Sequence, residues 1–121
     1  MLPNRVAVLG LGSWGTAIAH HLASSGTRVT GWTHNTSILE SVRERRVNDR
    51  YLPGVPLSEG IRPTDSMEEA LRSPVLVLAV PASALGRIAE SLRGLESRTV
   101  VSLTKGIEPA TKELPLAYLE R

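Results

Sequence analysis

Three glycines, Gly10, Gly12 and Gly15, stand in the stretch VAVLGLGSWGTAIAHHL (residues 6–22) at the spacing G-x-G-x-x-G. The chemistry of that spacing belongs to the backbone. A first glycine permits a sharp turn, a second removes a side chain so that main chain can approach a pyrophosphate, and a third lets a helix pack closely on a strand. Phosphate oxygens would then meet the unpaired N–H groups and positive dipole end of a helix beginning near Ser13 or Trp14. A tight turn without any ligand can carry the same three residues, so the flanking elements must decide.

Those elements are the right ones. Arg5 to Leu9 is a short apolar run stopped by Gly10, which predicts a fully buried strand. Beyond the glycines, Trp14, Ala17, Ile18, His21 and Leu22 recur at helical spacing, and Gly15, Ala19 and Ala23 form a second stripe of small residues that would let this helix lie close to a sheet. Gly26 supplies a stop. TRVTGW (27–32) predicts a second strand and TSILESVRERRV (36–47) a helix with Ile38, Leu39, Val42 and Val47 facing inward.

Residues 48–60 predict a loop, because prolines and glycines exclude regular structure there. IRPT is a weak strand, DSMEEALR a helix with an N-terminal cap, and PVLVLAV (74–80) the clearest buried strand. A helix over 83–92, a strand at TVVSL (99–103) and a last helix in ELPLAYLER complete the pattern. The alternation of strand and helix predicts an α/β fold with a parallel sheet, five strands and right-handed crossovers.

Composition agrees. Of 121 residues 41% are hydrophobic but only 3% aromatic, so the interior must be built from Val, Leu, Ile and Ala. A chain of this length buries roughly two-thirds of its unfolded surface. A formal charge of +2 is too small and dispersed to imply nucleic acid or a membrane surface. RERRVNDR (43–50) concentrates charge, but Glu44 and Asp49 interleave it, and a solvated helix face is favoured over an anion site. With no cysteine there are no thiolate ligands and no metal site is expected; the composition suits a reducing cytoplasm.

Near the end of the second strand, a dinucleotide site of this design usually carries a carboxylate for the adenosine ribose. Here the segment reads GWTHN, and Thr33, His34 and Asn35 present neutral or potentially cationic groups. A 2′-phosphate is therefore tolerated, so NAD or NADP fits; the other reading of His34 is that it simply begins a loop. His20 and His21 lie inside the first helix and read as structural. Pro81 ends the fourth strand, where a topological switch point would border the cofactor crevice.

GLGSWGTAIAHHLA, NDRYLPG, LAVPASAL and LTKGIE occur in an order and spacing that resemble the bacterial biosynthetic type of NAD(P)-dependent glycerol-3-phosphate dehydrogenase. The resemblance implies a Rossmann-type doubly wound domain over residues 1–121 that binds NAD(P)H. It also implies an enzyme interconverting dihydroxyacetone phosphate and sn-glycerol 3-phosphate for phospholipid synthesis. By position, Ser13 and Trp14 resemble residues beside the pyrophosphate, His34 a residue beside the adenosine ribose, and Tyr51 one that closes over the cofactor.

Lys105 resembles a lysine shared between nicotinamide and substrate. Arginine supplies almost all the positive charge, and only Lys105 and Lys112 depart from that habit. An ammonium at the mouth of the fifth strand could hold a phosphate or hydroxyl near the reacting carbon; the alternative is a solvated lysine in a turn. The resemblance places the general acid/base lysine and a helical second domain beyond residue 121, so the chain alone is expected to bind dinucleotide and turn over little. Apolar surface uncovered in that way would favour self-association. A stand-alone NAD(P)H sensor or interaction module remains the non-enzymatic alternative.

Overall fold

The computed structural model describes residues 5–92 and 99–102. Lys105, Lys112, Leu103 and the helix expected over 113–121 lie outside these residues. Ten elements follow in order: β1 (Arg5–Leu9), α1 (Ser13–Ser24), β2 (Arg28–Trp32), α2 (Thr36–Arg45), β3 (Ile61–Thr64), α3 (Met67–Ala70), β4 (Val75–Leu78), a 3-10 turn (Ala82–Ala84), α4 (Leu85–Leu92) and β5 (Thr99–Ser102). The five strands form one sheet in the order β3-β2-β1-β4-β5, and every neighbouring pair is parallel. This is the Rossmann-type doubly wound arrangement.

Strand β1 is central and buried on both faces. Val6 and Val8 pack with Ala19, Val29, Ile38 and Val42 beneath α1 and α2. Ala7 and Leu9 point the other way, onto Leu76, Leu78, Ala70 and Ile88 beside α3 and α4. Two apolar faces on one five-residue strand need an unbroken apolar run, which is what VAVL provides. β3 ends the sheet, and that edge position accommodates Pro63, which has no N–H to give a further strand.

The small-residue stripe of α1 meets the sheet as expected, whereas several element ends differ: β4 stops at Leu78 rather than at Pro81, where Ala79 and Val80 pass over Gly10. Helix α1 buries Gly15, Thr16, Ala19 and Ala23, whereas Trp14, Ala17 and His21 are exposed and Ile18 and Leu22 only half-buried. Contact between the backbones of helix and sheet requires small side chains, and the small stripe wins over the larger one. Helix α2 stops at Arg45, because Arg46 takes a left-handed conformation (φ 57°) and its side chain leaves the helix to donate to the Ile61 and Glu59 carbonyls at 2.9 and 2.8 Å. Val47 is consequently only half-buried. The helix expected over 65–72 shortens to Met67–Ala70, capped by the Ser66 hydroxyl accepting from the Glu69 N–H.

Ser73 is fully buried before Pro74, and its Oγ finds no hydrogen-bond partner among the described residues. Ser73→Ala is expected to raise the unfolding free energy by about 1 kcal/mol, since a hydroxyl stripped of water without compensation is removed. Urea denaturation of the two proteins reads this directly; a destabilised variant would reveal an undetected partner.

Candidate functional site

The site grows from the β1-to-α1 turn. Gly10 has φ +112° and donates its N–H to the Trp32 carbonyl at 2.9 Å, tying the turn to the end of β2. A Cβ at Gly10 would stand 2.5 Å from the Ala79 carbonyl oxygen, so the turn also presses on the chain leaving β4. Glycine is required there by conformation and by space.

Gly15 is buried in the first turn of α1, directly over Gly10. Gly12 is different. It is the N-cap of α1, makes no side-chain cap bond, and a Cβ there would meet no atom within 4 Å. No acidic side chain occupies the first turn of α1, so its free amide groups and dipole end stay uncompensated by the helix itself.

Around this helix end lies a cleft of about 770 Å³ at the carboxyl ends of the strands. Gly10, Gly12, Ser13, Trp14, His34, Tyr51 and Pro81 all line it, so the structure brings together seven of the residues singled out from sequence. Gly15 lies beneath the wall and sets how closely helix and turn approach. Lys105 falls outside the described residues. The strand order reverses between β1 and β4, and an open α/β sheet parts its helices at such a switch point to leave a crevice.

The aromatic residues stand at the mouth. Trp14 is 73% exposed and Tyr51 39%, unusual for large apolar groups in a chain with so few of them. At the end of β2 the Trp32 indole donates to the Asp65 carbonyl at 3.2 Å, and the His34 ring lies 5.8 Å away at a tilt of 38°. Thr33 and Asn35, offered by the sequence alongside His34, serve the backbone. The Thr33 hydroxyl accepts from the Asn35 N–H at 3.1 Å, and the Asn35 Oδ1 accepts from the Ile38 N–H at the start of α2. His34 is the exposed member of the three.

The loop of residues 48–60 is pinned at several places. Asn48 is completely buried; its Nδ2 donates to the Leu11 carbonyl at 2.9 Å and the Thr16 Oγ1 at 2.8 Å, while its Oδ1 accepts the N–H groups of Arg50 and Tyr51. One side chain thus joins the glycine turn, helix α1 and the segment bearing Tyr51. Sequence reasoning did not single out Asn48, because one asparagine in a loop has no period to betray it. His20 Nδ1 accepts the Ser58 N–H at 3.0 Å, a structural task in keeping with the expectation for that histidine. The Ser41 hydroxyl donates to the Val47 carbonyl and accepts from the Asp49 N–H.

A second hollow, of about 740 Å³, lies at the starting ends of the strands. Two of its four arginines face glutamates, Arg62 on Glu69 at 2.9 Å and Arg72 near Glu68 at 4.0 Å, so part of its charge is neutralised internally. It is remote from the switch-point crevice, and ligands of open parallel sheets bind at the other end.

Residues 5–121 match the family described as NAD-dependent glycerol-3-phosphate dehydrogenase N-terminus. The chain belongs to this family. A glycerol-3-phosphate dehydrogenase (NAD(P)+) of Geobacillus kaustophilus (strain HTA426) is 42% identical over 111 residues, 89% of this chain and 32% of the relative. The namesake enzyme of Pseudomonas paraeruginosa (strain DSM 24068 / PA7) is 42% identical over 117 residues, covering 95% of this chain and 34% of its own length. The chain therefore spans about a third of these relatives.

Among solved structures, the glycerol-3-phosphate dehydrogenase of Coxiella burnetii superimposes with a TM-score of 0.88 at 27% identity, over 97% of this chain and 37% of that one. The fold and the family thus agree with the motifs from which the resemblance was drawn. Among the described residues there is no helix long and apolar enough to cross a membrane and no cluster of three or more metal-binding side chains.

Proposed function

We propose that this chain is the dinucleotide-binding portion of a glycerol-3-phosphate dehydrogenase that uses NADH or NADPH to interconvert dihydroxyacetone phosphate and sn-glycerol 3-phosphate. One observation carries the reading: α1 begins at a bare glycine, Gly12, that opens onto the cleft with free space where a side chain would stand. A diphosphate needs such a cradle, with amide hydrogens presented and no Cβ in the way. The family match supports the cofactor class, and the relatives' names support the substrate pair.

In this reading the amides at Gly12, Ser13 and Trp14 hold the pyrophosphate, and His34 lies beside the adenosine ribose. Tyr51 covers the cofactor and Pro81 borders its nicotinamide end. Thr33, His34 and Asn35 carry no carboxylate, so none of the three repels a 2′-phosphate. The bound cofactor would supply hydride exchange at the carbonyl carbon. Lys105, in the TKGIE motif, is assigned a share of substrate and nicotinamide contact, and the proton-transferring lysine is placed beyond residue 121. Supply of a phospholipid precursor in the cytoplasm is the metabolic setting that fits this reaction.

The test uses the protein's own fluorescence. Trp14 and Trp32, the only tryptophans of the chain, both line the cleft, so NADH and NADPH titrations should change their emission saturably. Gly12→Val should weaken both dinucleotides at least roughly tenfold, about 1.4 kcal/mol, with cooperative unfolding retained because a Cβ there meets open space and the poorer N-cap costs only about 1 kcal/mol. A wild-type chain that neither changes emission nor gives calorimetric heat at millimolar dinucleotide would overturn the reading.

A further inference from the structure

The arginines of RERRVNDR, expected from sequence to share one solvated face, divide into separate tasks. Arg43 lies exposed in the last turn of α2. Arg45 pairs with Asp49, and Arg46 is committed to the Ile61 and Glu59 carbonyls. Arg50 alone of the four lines the cleft. Its guanidinium carbon lies 5.5 Å from the centre of the Tyr51 ring, a cation-over-ring contact that orients the side chain without neutralising it.

Two further facts make that charge available to a ligand. None of the described residues lining the cleft is Asp or Glu, so no carboxylate of its wall competes for the guanidinium. The backbone of Arg50 is also fixed, since its N–H is held by the Asn48 Oδ1 at 3.2 Å, and the Asn48 amide is bonded in turn to the Leu11 carbonyl inside the glycine turn. Arg50 is therefore carried by a piece of chain anchored to the turn that precedes α1. A guanidinium offers paired N–H donors in the geometry of a phosphate, and the α1 dipole adds to the same positive field.

We infer that Arg50 grips a phosphate of the dinucleotide and so sets how tightly the cleft holds its cofactor. The inference rests on the dinucleotide reading given above. Both the pyrophosphate and the 2′-phosphate of NADPH offer the required oxygens. They differ in which cofactors carry them: the first is common to NADH and NADPH, the second belongs to NADPH.

The experiment compares wild type, Arg50→Gln and Arg50→Lys by tryptophan emission and calorimetry with NADH and with NADPH, at low and at high salt. Arg50→Gln keeps a shorter stem and removes the guanidinium with its charge; among the described residues no backbone group is bonded to that guanidinium, so circular dichroism should be unchanged. The expected loss of affinity is roughly five- to twentyfold at low salt, shrinking as salt rises because the side chain is exposed. Arg50→Lys should recover part of it. Equal losses for the two cofactors locate the grip on the pyrophosphate, and a loss confined to NADPH locates it on the 2′-phosphate. Unaltered affinity of Arg50→Gln for both, beside a wild type that binds, overturns this inference and leaves the proposed function standing. A wild type that binds neither cofactor overturns both.

Discussion

Gly15→Ala should cost the domain about 3 kcal/mol or more of stability, although the substitution adds only a methyl group. The new Cβ would lie 1.7 Å from the Gly10 carbonyl oxygen and 3.2 Å from the Ala79 side chain. Neither neighbour can yield. Gly10 is bonded to Trp32 on β2, and the chain at Ala79 donates its own N–H to Leu9 of β1 at 2.9 Å. Relief therefore requires α1 to lift from the sheet and uncover Ala19 and Ala23, which belong to its apolar face.

Helix propensity works in the opposite direction. Alanine inside a helix is favoured over glycine by about 1 kcal/mol, and an exposed helical glycine would gain from the same replacement. An overlap of this depth decides the sign. Chemical denaturation should show a midpoint well below wild type or no cooperative transition; a midpoint at the wild-type value would mean that helix and turn are not packed as described. Gly12→Val offers the contrast, since one glycine of the motif is needed for folding and the other for leaving the cleft open.

Asn48→Ala is expected to be similarly damaging, by about 3 kcal/mol, and to weaken dinucleotide binding in whatever fraction remains folded. Its loss strands the Leu11 carbonyl, the Thr16 hydroxyl and the amide hydrogens of Arg50 and Tyr51, which together use both ends of the side chain. A buried polar group left without a partner costs on the order of 1–3 kcal/mol, and here several are left together, with partial relief as water reaches the loop. Asn48→Asp should rescue little, because a carboxylate would face the Leu11 carbonyl and place an unpaired charge in a fully buried site. Urea titrations measure the first effect and cofactor titrations the second. Wild-type stability in Asn48→Ala would dismiss this residue as the link between the turn and the loop.

The neutral strand end at Thr33–Asn35 was readable from residue type, yet the three side chains are not equivalent in the folded chain. Local hydrogen bonds claim Thr33 and Asn35 for the start of α2, and His34 remains exposed beside Trp32. The N-cap role of Asn35 has a sequence signal, a short polar side chain just ahead of an apolar-periodic segment. The tasks of Arg46 and Arg50 have none. Both are arginines in one charged run, separated only by where the backbone turns after the left-handed Arg46.

Short-range patterning determined a great deal by itself: the buried strands β1 and β4, the alternation that yields a parallel sheet, and the glycine spacing between β1 and α1. These are properties of contiguous residues whose neighbours are set by strand and helix periods, so they can be read without knowing what packs where. Only the tertiary structure decided that Asn48 fastens a loop to Leu11 and Thr16, and that Arg50 lines the cleft while Arg46 braces carbonyls. Each of those outcomes depends on close approach between segments far apart along the chain, where shape, burial and competition for hydrogen bonds select among residues that look alike in sequence.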